Sequence, residues 1–346
     1  MSERQVTKGL PWWKALMFSV IPIVLILAAA EGILAARGYP PRKTLAATLH
    51  DNSFWITQAN LDKSPFLHKE VGTDFLVSTN SRSMRYGEIP EGRQDKTLRI
   101  VALGDSTTFG WGVEQDLTYP ARLEAKLKGK IPGVDIESIN GGVPGYSSFQ
   151  GIHHINARVL TYQPDIWLIG YIVQDARRAP VSDKDQAIAN RSAEFLRANP
   201  LYQWRTYLFL REKYQVFRSE RREEEAKTGE TWRVPVEDYR DNLKEIVKVV
   251  RANDGIPVLF GFPLEVVGYT KEHREALKAL SEELKTPWVD FSPELAEAAR
   301  KETLYFPQDR GHPNAAGCEV IATYTAEWLE KSGVLKAAAE RRGLGN

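Results

Sequence analysis

The sequence predicts an α/β fold: a doubly wound sheet of about five parallel strands with helices on both faces. Three observations predict it. From Leu98 onward, short apolar runs alternate with stretches of helical period. Each apolar run ends in glycine or polar loop residues, and the residue types that carry chemistry fall in those loops. The 346 residues suit two domains, or one α/β domain with insertions. With 42% apolar and 26% charged residues, the composition is that of a globular protein. A net charge of +1 offers no basic field to gather phosphates, which excludes nucleic acid as a partner. Cys318 is the only cysteine, so there is no internal disulfide and no zinc cluster of the usual spacing. It is expected as a small buried residue.

Residues 1–14 form a short N-terminal tail. Ala15 to Ala30 carry no charge, and apolar character resumes after Glu31 through Ala36. Residues 15–36 therefore supply the roughly 20 helical residues that a hydrocarbon core of ~30 Å requires, with Glu31 near the far interface. Trp12, Trp13 and Lys14 suit the headgroup layer. Ala28 and Ala30 also offer a signal-peptide cleavage pattern, but the apolar stretch outlasts a signal-peptide core, so a retained anchor is expected. Arg4, Lys8 and Lys14 before the span balance Arg37, Arg42 and Lys43 after it, and the positive-inside rule leaves orientation open.

Residues 37–96, with Pro40, Pro41, Pro65 and Pro90 and no long period, read as a connector with short strands. Leu98 to Leu103 is the first strand of the sheet, and a helix follows over Thr118 to Lys128. Val134 to Ile139 is the second strand and runs into the glycine-rich loop Asn140 to Gly145. A helix over Ser147 to Thr161 leads to the third strand, Ile166 to Ile172. Helices over 237–252 and 271–284 flank the fourth and fifth strands, Ile256 to Phe262 and Pro287 to Phe291, and a last helix follows Pro313. Five strands with crossover helices make a flavodoxin-like doubly wound sheet, whose ligands bind at the carboxyl ends of the strands. The insertion at 180–234 is helical in composition. Its aromatic residues Tyr202, Trp204, Tyr207, Phe209, Tyr214 and Phe217 read as packing of a helical subdomain, a role compatible with a substrate lid. Ser219 to Glu225, mixed in sign, is a solvated run. Residues 333–346 form a C-terminal tail.

The chemistry-bearing residues gather where such a sheet binds ligands. Gly104-Asp105-Ser106 follows the first strand, Asn140 to Gly145 the second, Gln174-Asp175 the third, and Asp309 with His312 the fifth after a short helix. A serine needs an imidazole to take its proton and a carboxylate to orient that imidazole. Asp309 and His312 supply both from one loop. Taken alone, Gly104-Asp105-Ser106 would also serve as an ordinary helix N-cap. His153 and His154 face different directions on a helix, and His50, His68 and His273 have no constellation, so no metal site is expected.

Gly104-Asp105-Ser106-Thr107-Thr108-Phe109-Gly110-Trp111-Gly112-Val113 resembles the first block of SGNH/GDSL hydrolases. Asn140-Gly141-Gly142-Val143-Pro144-Gly145-Tyr146 resembles their second block, and Asp309-Arg310-Gly311-His312-Pro313-Asn314-Ala315-Ala316-Gly317 their closing block. The resemblance implies a hydrolase domain over 97–332 with Ser106 as nucleophile, His312 as base and Asp309 as acid. It also implies an oxyanion site of the Ser106 and Gly142 amides, with Asp105, Asn140 and Asp175 in support and no metal or organic cofactor. The third block departs from the pattern: Tyr171-Ile172-Val173-Gln174-Asp175 stands where the family carries Gly-x-Asn-Asp. Gln174 thus takes the place of the asparagine donor. The implied activity is that of an esterase or O-acyltransferase, on an ester-bearing small molecule, lipid or glycan. Similarity to bacterial members that work outside the inner membrane implies a single-pass protein with its catalytic domain outside the cytoplasm. Gln174 also motivates an alternative, a membrane-tethered binding or assembly protein that keeps the fold without the chemistry; the intact triad argues against it.

Overall fold

The computed structural model describes residues 11–39, 45–48, 54–192, 204–210, 213–214, 231–264 and 268–344. These form two compact units, Met1–Thr44 with Ser192–Glu223, and Leu45–Arg191 with Glu224–Asn346. In the first unit, helix α1 (Trp12–Ala36) contains a 21-residue stretch, Leu16–Ala36, long and apolar enough to cross a membrane. Glu31 is the acidic residue within it. Its carboxylate accepts from the backbone N–H of Arg205 at 3.1 Å and of Thr206 at 3.0 Å, and from Thr206 Oγ1 at 3.0 Å. It thereby occupies the start of a helical turn at 205–210, where backbone N–H groups lack intrahelical partners. Tyr39 meets Phe209 edge to face at 5.6 Å. Trp204 and Tyr214, expected to pack, are 45% and 59% exposed. Tyr202, Phe217 and Ser219 to Glu225 lie outside the described residues.

The second unit begins with two small antiparallel pairs, β1 (Ala46–Thr48) with β2 (Trp55–Thr57), and β3 (Ser64–His68) with β4 (Thr73–Val77). The chain then enters β5 (Thr97–Gly104), α2 (Ser106–Phe109), α3 (Tyr119–Leu127), β6 (Asp135–Gly142), α4 (Ser148–His154) and β7 (Ile166–Ile169). The short strands β8 (Arg178–Ala179) and β9 (Thr231–Trp232) pair across the insertion, which opens with α5 (Asp183–Ser192). After α6 (Val236–Ala252) come β10 (Ile256–Gly261), α7 (Lys271–Glu283), β11 (Trp288–Asp290) and α8 (Ser292–Ala298). The hairpin β12 (Tyr305–Phe306) with β13 (Asp309–Pro313) and the helices α9 (Ala315–Lys331) and α10 (Val334–Arg341) complete the chain.

Five strands form one parallel sheet in the order β11-β10-β7-β5-β6. A parallel sheet covered on both faces needs continuous apolar strands rather than alternating ones. That is why Leu98, Ile100, Val101, Ala102 and Leu103 are all fully buried in β5. Helix α3 packs with α9, and α6 with α4 and α7. In α6 the buried residues Tyr239, Leu243, Ile246, Val247 and Val250 recur at helical spacing and make one apolar stripe. The chain leaves β5 for β6 on one side and reaches β7 on the other. This reversal opens a crevice beyond the carboxyl end of β5.

Among the boundaries that differ from those the sequence predicts, three bear on the site or the core. The second strand runs on to Gly142, because Gly141 and Gly142 pair in register with Leu103 and Gly104. The third ends at Ile169, and the chain then turns through 173–176, which carries Gln174 and Asp175 out of the sheet. The described part of the expected C-terminal tail 333–346, residues 333–344, packs on the domain. Val334, Leu335, Ala338 and Ala339 give α10 a buried stripe, and Arg342 reaches Asp165 Oδ1 and Oδ2 at 2.9 and 3.1 Å. Leu335→Ala should therefore destabilise the protein by about 2–5 kcal/mol in chemical denaturation, the cost of an unfilled core site. A loss within about 0.5 kcal/mol, the range of surface substitutions, would show that α10 adds nothing to the core.

Candidate active site

Ser106 opens α2 two residues beyond the end of β5, and the turn that places it is held by Asp105 between them. The Asp105 carboxylate caps the helix, its Oδ1 accepting from Thr107 N–H at 2.9 Å and Thr107 Oγ1 at 2.6 Å. Burial raises the Asp105 carboxyl; hydrogen bonds from Thr107, the charge of His312 and the Gln174 amide oppose that rise. From the other side, the β12–β13 hairpin presents Asp309 and His312. His312 Nε2 lies 2.7 Å from Ser106 Oγ, and its Nδ1 lies 2.5 Å from Asp309 Oδ2. Burial alone would raise Asp309, but hydrogen bonds from His312, His68 and the Gly311 N–H bring it down to about 2. An ionised carboxylate only accepts, so the His312 proton belongs on Nδ1. Nε2 is then left to accept the Ser106 hydroxyl proton.

Two residues that sequence reading missed come from the connector. His68, at the end of β3, has its Nε2 2.8 Å from Asp309 Oδ2 across 241 positions of chain and is fully buried. A lone histidine with no nearby motif carries no signal of this. His68, Asp309 and His312 offer three ligand-capable atoms within 4.8 Å of one another, but the hydrogen bonds just described already use them. Arg85, 1% exposed, donates to the carbonyls of Phe109, Gly110, Val113 and Leu76. Burial pushes its guanidinium down to about 10, and these carbonyls replace the water it has lost. Arg85 thus clamps the loop that follows the serine.

The oxyanion side differs from the expected arrangement. The Gly142 N–H donates to Asn140 Oδ1 at 3.1 Å, so it is spent within its own loop. Asn140 is structural in the same way, since its Nδ2 donates to the Phe109 carbonyl at 3.2 Å. Val143 N–H donates to Gly104, Tyr146 N–H to Val143, and Pro144 has no N–H. Among residues 142–146 the Gly145 amide is the one left without a described partner, at a turn whose φ of +81° suits glycine. Gln174 Oε1 accepts from Arg233 at 3.0 Å, which turns its NH2 end away from the arginine. Arg233 also donates to the Gly145 carbonyl at 2.8 Å, to Gln150 Oε1 at 3.0 Å and to both Asp183 oxygens. Asp175 accepts from Ser148 N–H and Oγ at 2.9 and 2.5 Å.

His154, His273 and Cys318 pack in the interior, and His50 lies outside the described residues. His154 is fully buried edge-on to Tyr146, and burial drives it down to about 3, leaving a neutral ring. His273 is fixed on the Val234 carbonyl at 2.9 Å. Cys318 is buried and pushed up to about 12, so it stays a thiol.

A doubly wound parallel sheet with serine, histidine and aspartate hydrogen-bonded in series beyond the carboxyl end of β5 defines a class of α/β hydrolytic proteins. Residues 102–320 match the GDSL-like Lipase/Acylhydrolase family, and the chain belongs to that family of enzymes. No curated protein matches it. Solved structures similar to it include a protein of the G-D-S-L lipolytic family from Desulfitobacterium hafniense DCB-2, at 19% identity over 66% of this chain and 98% of that one, with a TM-score of 0.43. The lipase/acylhydrolase from Enterococcus faecalis is similar at 15% identity over 68% and 96%, with a TM-score of 0.44. A variant of an acetyl-xylooligosaccharide esterase from Geobacillus Stearmophilus is similar at 17% identity over 68% and 94%, with a TM-score of 0.42.

Asp175 gives this site a pH signature. Burial raises its carboxyl from 3.8 to about 7, against the hydrogen bonds from Ser148 and the charge of Arg233. The folded state thus holds a proton that the unfolded state releases near pH 4, and the stability from it is lost as pH rises through about 7. Asp175→Asn should flatten the fall in denaturation midpoint between pH 5 and pH 7.5. An unchanged slope would mean that Asp175 is ionised throughout.

Proposed function

We propose that the chain is a membrane-anchored serine acyl hydrolase or O-acyltransferase that works through an acyl-Ser106 intermediate outside the cytoplasm. The observation that carries this reading is the series Ser106 Oγ, His312 Nε2, His312 Nδ1, Asp309 Oδ2, with links of 2.7 and 2.5 Å. Ser106 Oγ attacks the ester carbonyl as its proton passes to His312 Nε2, and the imidazolium that forms is stabilised by Asp309. The alkoxide leaves with that proton. Water, or a sugar hydroxyl, then gives its proton to His312 and takes the acyl group, and His312 passes that proton to the departing Ser106 Oγ, which restores the serine. The developing oxyanion faces the start of α2. Its donors are the Ser106 amide, the Gly145 amide that the loop leaves free, and the Gln174 NH2 group, in place of the Gly142 amide.

Retention of the N-terminal helix is supported by Glu31, whose carboxylate is tied to Arg205 and Thr206 in the same unit. A cleaved leader has no reason to dock on the mature chain. The outward orientation rests on the resemblance to extracytoplasmic family members.

A fluorophosphonate probe should label the native protein, and Ser106→Ala and His312→Ala should each abolish labelling without changing the melting temperature by more than a few degrees. Labelling that persists in Ser106→Ala would remove Ser106 as the nucleophile, and absence of labelling in the native protein would favour a binding role. Gln174→Ala should lower kcat by ~10²-fold with a smaller change in KM, the effect of removing one preorganised donor. Near-native turnover would take Gln174 off the oxyanion site. The full chain should stay in the membrane fraction through alkaline washing, and protease added outside spheroplasts should remove the catalytic domain. Protection of that domain would reverse the orientation.

A further inference from the structure

The geometry points to His68 as a positioning residue of the triad: a neutral imidazole that donates its Nε2–H to Asp309 Oδ2 and fixes the carboxylate toward His312. The inference rests on the assignment of Ser106, His312 and Asp309 as the reacting series. Asp309 Oδ2 lies 2.5 Å from one ring and 2.8 Å from the other, whereas Oδ1 receives only the Gly311 N–H at 3.2 Å. Apart from His68, both partners of the carboxylate belong to its own turn. His68 is the one described hydrogen-bond donor that reaches Asp309 from another part of the fold, so it resists rotation of the carboxylate within that turn.

The surroundings set the protonation state of the ring and hold it still. His68 is fully buried, edge-on to Phe306 at 4.9 Å, to His312 at 6.1 Å and to Trp111 at 6.4 Å. The loop of the first sequence block closes over it at Gly112, where a β-carbon would stand 2.3 Å from His68 Nδ1 and φ is +80°. Nδ1 is buried with no hydrogen-bond partner. A proton there would be a buried donor left unsatisfied, so the single proton belongs on Nε2, facing the carboxylate. The charged and titratable groups around the ring are Asp309, His312 and Glu70, the last 3.7 Å away and mostly exposed. Trp111, Gly112 and Phe306 bring no charge. The arrangement gives Gly112 a purpose as well, since any larger residue there would drive into the ring.

The test compares three full-length variants in detergent. His68→Phe keeps the ring volume and removes the donor, and His68→Gln places an amide N–H near the position of Nε2. His68→Leu removes ring and donor together. Removing the hydrogen-bond partner behind a metal ligand costs about 10–100-fold, and the partner behind a triad carboxylate is expected to cost at least the lower figure. His68→Phe and His68→Leu should accordingly lose at least that much in kcat and in the rate of fluorophosphonate labelling, with KM little changed. His68→Gln should recover most of the loss. Rates for His68→Phe equal to the native rate would overturn the inference while leaving the triad in place. Equal losses in His68→Phe and His68→Gln, tracking a fall in melting temperature, would also overturn it by assigning His68 to packing. Failure of the native protein to label at all would instead count against the triad itself.

Discussion

Asp309 Oδ2 sits between two imidazoles, His312 at 2.5 Å and His68 at 2.8 Å, and the protonation pattern of the site follows from how that oxygen is held. Partial burial works against its charge, and the hydrogen bonds it accepts outweigh burial, so the carboxyl titrates at about 2. An acceptor that cannot donate fixes a proton on each facing ring nitrogen. His312 is thereby left with a bare Nε2 toward Ser106, the tautomer a general base needs. Were Asp309 neutral, its own proton could satisfy a ring nitrogen and the direction of the whole series would be lost.

The opposite wall of the site depends on a second charge. Arg233 is a donor only, so each atom it touches must be an acceptor. Its contact with Gln174 settles which end of that amide is oxygen, and its contact with the Gly145 carbonyl holds the turn whose amide stays free. Burial opposes the guanidinium charge, and Asp183 compensates, keeping Arg233 above its ordinary range. Such a pair is costly to break on one side only, because the remaining charge is buried without a partner. Arg233 therefore couples the loops after the second and third strands of the sheet. It does so from the residue just beyond β9, at the exit of the insertion.

Glu31 illustrates the same rule in the N-terminal unit. A carboxylate in an apolar helix is unfavourable unless it is hydrogen-bonded, and the backbone N–H groups of Arg205 and Thr206 at the start of a helical turn provide those bonds. A residue that looks like an interruption of the apolar run is thus the point at which the insertion attaches to the helix.

The sequence by itself determined the strands and helices of the parallel sheet, since continuous apolar runs and helical periodicity are local properties. It also singled out Ser106, Asp309 and His312, because two blocks with strong local patterns carry them, and the structure brings those three side chains into hydrogen-bond contact. Only the tertiary structure decided the rest of the site. His68 and Arg85 lie in a stretch without periodicity, and their roles come from contacts made far along the chain, His68 with Asp309 and Arg85 with the carbonyls after α2. The Gly142 amide matched a sequence pattern, yet the direction of an N–H depends on the backbone turn, and here the Asn140 side chain captures it. Residues 333–346 read as a tail because the stretch is short and ends the chain. Whether such a segment packs is settled by the surface available to it, and here Arg342 meets Asp165 while Leu335 enters the core. Local pattern specifies elements and nucleophile; hydrogen-bond partners distant in sequence are specified by the fold.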